Sequence, residues 1–250
     1  METTKTFRES ISMTLAGFIV AIFSGLAAAL AGFGTRWGWW HFMTGFVILK
    51  WAAIGGIAAS LATVLGFIFF RSRVQKHLVL AAAALIVGLA VAGIPLDWLK
   101  TAQRLPQIND ITTDTENPPR FVSILPLRKD ATSPAEYGGP KIAAQQVRAY
   151  PEVRPAVFSL PPDKAFALAL AAAKKMGWRI VDANPNEGRI EASDTTFWFG
   201  FTDDIVVRVR AVAGGSRVDV RSHSRVGLSD VGANARRIEE YMKVLKKETS

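Results

Sequence analysis

The stretch Ile205–Val226, IVVRVRAVAGGSRVDVRSHSRV, decides the fold of the C-terminal part of the chain. Ile205, Val207 and Val209 share one parity, and Val206, Arg208 and Arg210 share the other. Side chains that alternate this way belong to a β-strand with one face buried. Gly214-Gly215 then signals a tight hairpin. In the returning run Val218, Val220 and Val226, with Ser222 and Ser224, face inward. Arg217, Asp219, Arg221, His223 and Arg225 face outward. In an antiparallel sheet covered on one side, this outward set is the expected solvated face, with Glu191 and Asp219 as cross-strand partners of its arginines.

Upstream, Trp178–Ala183 reads as a strand, Asn184–Gly188 as a turn, and Arg189–Phe201 as a longer strand. In the last, Ile190 and Ala192 are out of phase with Phe197, Phe199 and Phe201, so a bulge or bend is expected near Asp194–Thr196. Asp203-Asp204 reads as the next turn. Val157–Leu160 reads as a short strand. Pro161 and Pro162 then open a helix with Asp163 in its first turn, Phe166, Ala169, Leu170 and Ala173 on its apolar face, and Gly177 as its stop. A last helix is expected after Ser229, with Asp230 beside the cap. Val231, Ala235, Ile238, Met242 and Leu245 form its stripe, and Arg236 and Arg237 lie on its wet side. The order β-α-β-β-β-β-α over 157–250 is an α+β domain, an antiparallel sheet covered on one face by two helices.

In front of this domain lie three uncharged stretches, Ser10–Thr35, Trp51–Phe70 and Leu78–Leu96. A helix needs roughly 20 apolar residues to cross a bilayer, and all three qualify, the third being the shortest. They define a three-helix transmembrane anchor over 1–97, with helices about 10–34, 44–70 and 78–96. A cleaved signal peptide, with Lys5 and Arg8 as its basic start and Ala29-Leu30-Ala31 as its cleavage site, is the alternative for the first. Its uncharged stretch is long for that role. Lys5 and Arg8 in the tail, with Arg71, Arg73 and Lys76 in the second loop, outweigh Arg36 and Lys50 in the first. That places the N-terminus in the cytoplasm and the C-terminal domain outside it, on the periplasmic side of a bacterial inner membrane. Trp37, Trp39 and Trp40 suit an interfacial belt. Small residues recur four apart, as Gly17, Ala21, Gly25 and Ala29, then Ala52, Gly56 and Ser60, then Ala84, Gly88 and Ala92, a pattern that lets helices pack closely in lipid. No Asp, Glu, Arg or His falls within a span, which argues for an anchor or assembly surface over a conduit.

The formal net charge is +9. Residues 1–105 hold nine Lys or Arg against three acids, a net of +6, and residues 106–250 hold 21 against 18, a net of +3. The excess flanks the apolar segments, and the sheet's basic face offers little aromatic surface beyond Trp198. A nucleic-acid partner is therefore not expected. The 250 residues include no cysteine, which removes disulfides, thiol chemistry and thiolate metal sites. Between anchor and domain, residues 98–156 form a proline-rich connector, expected to lie as extended chain on the domain, with two helical turns over Lys141–Ala149.

The stretches TENPPRFVSI, YPEVRPAV, EGRIEASDTTFWFGFTDDIVVRVR and GSRVDVRSHSRVGLSDVGANARRI, in this order, resemble the domain of unknown function 1499 family (DUF1499). The resemblance spans about Ile111 to Leu245. It implies the fold and a shared surface, and supplies no reaction or catalytic residue. Members often carry a hydrophobic N-terminal segment. This chain departs from the family pattern at His223, where a small or apolar residue is usual.

Gly227, Gly232 and Asn234 are unusual residues for strand and helix interiors, and they cluster at a strand-to-helix turn. One reading is a ligand- or partner-binding surface built from Arg225, Asp230, Asn234 and Arg237 with Arg208 and Arg221, since helix N-termini attract anions. The other is structural, with Asp230 capping the helix and pairing with Arg225. Ser222 or Ser224 with His223 makes a poor nucleophile and base, because adjacent strand residues face opposite ways. An enzyme acting on envelope lipid or glycan would have to use Asp194 or Asp204. No Walker or Rossmann glycine pattern is present. His41 and His77 lie far along the chain from His223, so neither a metal nor a cofactor is expected. The expected partners are the lipid bilayer, an anionic or lipid-like ligand, and a membrane protein. The function expected is a membrane-anchored extracytoplasmic binding or assembly module, with a purely structural subunit of a membrane complex as a further alternative.

Overall fold

The computed structural model describes residues 2–69 and 78–248, with side chains from residue 15 onward. Arg71, Arg73, Lys76 and His77 lie outside the described residues. The chain forms two compact units, residues 1–100 with 197–200, and residues 101–196 with 201–250.

In the first unit, three helices run over Glu2–Arg36 (α1), Phe42–Phe69 (α2) and Leu78–Arg104 (α3). All three are long and apolar enough to cross a membrane. The 28 residues of α2 extend about 42 Å, against a hydrocarbon core of about 30 Å. α3 continues past Leu96 to Arg104 with Pro95 inside it. The small-residue stripes form the seams between helices. Ala21, Ala59 and Ala84 pack together. A Cβ on Gly88 would sit 2.7 Å from the Gly56 carbonyl oxygen, so the α2 and α3 backbones meet where both residues lack side chains.

In the second unit, strands Asp110–Thr112 (β1), Ala156–Phe158 (β2), Arg179–Asn184 (β3), Arg189–Thr195 (β4), Thr202–Val212 (β5) and Gly215–Ser224 (β6) form one antiparallel sheet. The order is β1-β6-β5-β4-β3, and β2 also pairs with β6. Val212 pairs with Gly215 across the β5–β6 turn, and Gly214 takes φ 80° there, a conformation that side chains disfavour. Helices Gly139–Ala149 (α4), Pro162–Lys175 (α5) and Ala233–Glu248 (α6) complete the unit. Ile190, Ile205, Val207, Val218 and Val220 meet Ala169, Ala173, Ile238 and Leu245 in the core. Tyr241 stacks on Trp178 with ring centroids 4.9 Å apart and donates its hydroxyl to the Ala169 carbonyl.

Four local readings need correction. Asp203 and Asp204 do not form a turn: both lie in β5, paired with Ser224 and His223 of β6, because the chain reverses earlier, at residues 196–201. Residues 196–201 are not strand: β4 ends at Thr195, and Phe197–Gly200 belongs to the helical unit. The phase break between Ala192 and Phe197 marks this departure. Val231 lies outside α6, with φ 52°. Arg237 is buried, not on the wet side of α6.

The outer face of the sheet is also covered. The connector contributes β1 and then crosses the arginine face as loop and a 3-10 turn, Leu125–Arg128. Phe121 and Ile124 pack on Val206 and Val181. Asp219, Arg221 and His223 are buried, so the centre of the expected half-wet face is an interior, while Arg208, Arg210, Arg217 and Arg225 around it stay partly exposed. Gln146 from α4 completes the β1 edge: it accepts from Thr112 N at 3.0 Å and donates to Thr112 O at 2.6 Å, as a neighbouring strand would.

Candidate functional site

The outward parity of β4, β5 and β6 brings carboxylates and arginines onto one face, and the connector seals them in. Asp204 is fully buried and accepts four hydrogen bonds, from Arg128 Nη1 at 2.8 Å, Arg225 Nε at 2.9 Å and Nη2 at 2.8 Å, and Ser193 Oγ at 3.1 Å. Two guanidiniums thus share one carboxylate. Arg221 grips Asp110 through two nitrogens, each at 2.8 Å, and lies over the Phe121 ring at 4.8 Å. Burial raises the Asp110 carboxyl above its usual range, although Arg221 opposes this. Glu191, also fully buried, pairs with Arg189 and accepts the backbone N–H groups of Val122, Ser123 and Ile124 at 2.8–3.1 Å. One carboxylate therefore fastens the connector to the sheet.

His223 lies between these pairs. Burial, and then the charges of Arg128 and Arg221, push its imidazole down to about 2. Arg128 Nη2 approaches His223 Nδ1 at 3.4 Å. A guanidinium only donates, so Nδ1 accepts and the ring is neutral with its proton on Nε2.

At the other end of the face, Arg208, Arg210 and Arg217 converge on Asp114 Oδ2 at 3.1, 3.3 and 3.0 Å, and Arg208 and Arg217 also bond Asp219. Three positive charges meet two negative ones there, and Arg210 is the most exposed at 39% of its side chain.

The inward parity carries a second polar cluster, beneath α6. Asn234 is fully buried: its Oδ1 accepts from Ser222 Oγ and Arg237 Nη1, both at 2.6 Å, and its Nδ2 donates to Asn109 O at 2.9 Å and Ser224 Oγ at 3.0 Å. Arg237 pairs with Asp203 at 2.6 Å and Asp194 at 3.0 Å. Asp230 caps α6 through Gly232 N at 2.8 Å and Asn234 N at 2.7 Å, and burial raises its carboxyl.

The sequence-predicted residues therefore divide. Asp230, Asn234 and Arg237 come together on the inner face. Arg225, Arg221 and Arg208 lie on the outer face, and Arg225 pairs with Asp204 where Asp230 was expected. Asp194 pairs with Asp203, and Ser193 with Asp204, across β4 and β5. Asp194 thus faces inward and Asp204 outward, and the two share no site. Among the described residues, no group of three His, Asp or Glu is placed to hold a metal ion. Sequence reasoning missed Arg128, Asp110 and Asp114, the connector's share of these pairs. Five outward arginines on two neighbouring strands were the signal that carboxylates had to arrive from elsewhere.

The architecture defines an α+β sheet domain preceded by three helices long and apolar enough to cross a membrane. Residues 110–245, more than half of the chain, match the family described as protein of unknown function (DUF1499), and the chain belongs to that family. The match begins at β1 and ends within α6, so it includes the connector that seals the outer face. No curated protein matches the chain.

Proposed function

We propose that this protein is a membrane-anchored module of the bacterial envelope, with its N-terminus in the cytoplasm and its α+β domain on the periplasmic side, and that it works by binding or assembly. One observation carries the reading: the buried ionisable groups of the sheet are committed to one another. Asp204 has four donors at zero exposure, and His223 is held neutral under the connector. General acid–base work needs a group within reach of substrate whose proton can move. The lysine and arginine asymmetry about the spans supports the orientation. Partners of this module are the bilayer and a membrane protein packed on the outward helix faces.

Native mass spectrometry of gently extracted full-length protein tests the reading. A stoichiometric protein partner or retained lipid is expected. A bare monomer that turns over envelope lipid or glycan, and loses this on Asp194→Asn or Asp204→Asn while folded, would replace it with the enzymatic alternative. A second reading, capture of an anionic group, is supported by the Arg208, Arg210 and Arg217 cluster, whose charges exceed those of Asp114 and Asp219. Retention of anionic lipid lost on Arg210→Ala would favour it.

A further inference from the structure

The β4–β5 connection is built in an unusual way. At its neck, Thr196 N donates to Phe201 O at 2.8 Å, and Phe201 N donates to Thr196 Oγ1 at 2.9 Å. These bonds pinch off four residues, Phe197-Trp198-Phe199-Gly200, which belong to the helical unit. There Trp198 Nε1 donates to the Ala29 carbonyl of α1 at 3.0 Å. Its indole occupies the space where Gly32 has no side chain, so any Cβ at that position would collide with it. Phe199 is buried against Phe46 of α2, and Trp98 of α3 lies 5.6 Å from Trp198. Arg36 Nη1 donates to the Phe197 carbonyl at 3.0 Å.

Packing accounts for Trp198 and Phe199, but not for Phe197, which is 77% exposed. Its ring meets Phe33 edge-on at 5.5 Å, Phe33 stacks on Trp37, and Trp37 meets Trp39 at 4.9 Å. Trp37 and Trp39 are also exposed, at the end where α1 stops and α2 begins. Met43 and Val47, in the first turns of α2, are exposed apolar residues as well. Aromatic rings at the ends of spanning helices favour the headgroup level of a bilayer.

We propose that Phe197–Gly200 is a second, lipid-facing membrane anchor: the aromatic tip is seated in the tryptophan rim of the helices, and Phe197 enters the bilayer interface. The inference rests on the reading of α1–α3 as membrane-spanning, and its test keeps the two apart.

The chain has no cysteine, so nitroxide labels can be placed one at a time in the full-length protein, reconstituted in phosphatidylcholine–phosphatidylglycerol vesicles. The positions are Phe197→Cys, Trp39→Cys at the rim, Ile54→Cys on the exposed side of mid-α2, and Val157→Cys, which is 65% exposed in the sheet unit. The readout is the ratio of collisions with oxygen to collisions with a water-soluble nickel chelate. The expected order is highest at Ile54, lowest at Val157, and intermediate at Phe197 and Trp39, several-fold above Val157. A Phe197 ratio equal to that of Val157, with Ile54 still high, overturns the anchor and leaves the spans standing. A Phe197 ratio equal to that of Ile54 overturns the interfacial placement. A low ratio at Ile54 overturns the membrane reading and the anchor with it. If Phe197→Cys does not fold, a label at exposed Thr195 is read against the same three standards.

Discussion

Arg225 holds Asp204 on one face of the sheet, while Arg237, twelve residues on, holds Asp203 on the other. The neighbouring carboxylates of β5 thus serve opposite interiors, as the period-two geometry of a strand requires. The two arginines have no partner in common. Arg225→Ala is expected to cost about 1.5–3 kcal/mol, because Asp204 keeps Arg128. Arg237→Ala is expected to cost about 3–5 kcal/mol, because it strips a buried carboxylate. The double variant should be additive within about 0.5 kcal/mol. Thermal or urea unfolding of the full-length protein in detergent measures all three, and a larger coupling would argue for one shared site.

Asp204→Asn should be far more damaging than Asp194→Asn. Removing the buried charge leaves Arg128 and Arg225 facing one another under the connector, at roughly 3–5 kcal/mol. Asp194 is 39% exposed and shares Arg237 with Asp203, so its loss should stay near 1 kcal/mol or below. Melting temperatures of the two variants, taken side by side, check the contrast.

Glu191→Gln should loosen the connector while the sheet persists. An amide cannot reproduce a carboxylate that accepts three backbone N–H groups and pairs with Arg189. Limited proteolysis should cut between Phe121 and Tyr137 at least several-fold faster than in the parent chain. Unchanged cleavage would remove Glu191 from the role of fastener.

His223 sets an acid limit on stability. Burial holds its folded pKa at about 2, below the usual imidazole value of 6.5. As pH falls below 6.5 the unfolded chain takes up a proton that the folded chain refuses, and stability declines by up to about 1.4 kcal/mol per pH unit. The raised carboxyls of Asp110 and Asp230 act in the opposite sense, because the folded state protonates first. Unfolding of His223→Ala between pH 6.5 and 5 should show a flatter slope than the parent.

Gly88→Leu should separate α2 from α3, since even its Cβ would meet the Ser60 hydroxyl at 2.5 Å and the Gly56 carbonyl at 2.7 Å. Gly93→Leu is the control, because a Cβ there meets nothing within 4 Å. The first should lose about 1–3 kcal/mol of helical-unit stability and the second little, read from the loss of helical circular dichroism on heating in detergent.

Local pattern alone determined a good deal of this protein. The parity of Ile205–Val226, the Gly214 turn, the proline start of α5 and the Ala235–Leu245 stripe each follow from the chemistry of a few neighbouring residues. So do the apolar lengths of α1–α3 and the small-residue seams. Tertiary structure decided what lies against each face. An arginine on a strand has the same parity whether it meets water or a carboxylate, and the partners of Arg221 and Arg225 come from Asp110, Asp204 and the connector that closes over them. The same holds for Phe197–Gly200: its aromatics looked like strand residues because nothing local reveals that Gly32, far back in α1, leaves room for Trp198. Period and propensity act over a few residues, whereas burial depends on contacts between segments distant in sequence, so the centre of the face expected to meet solvent, at Asp219, Arg221 and His223, is an interior.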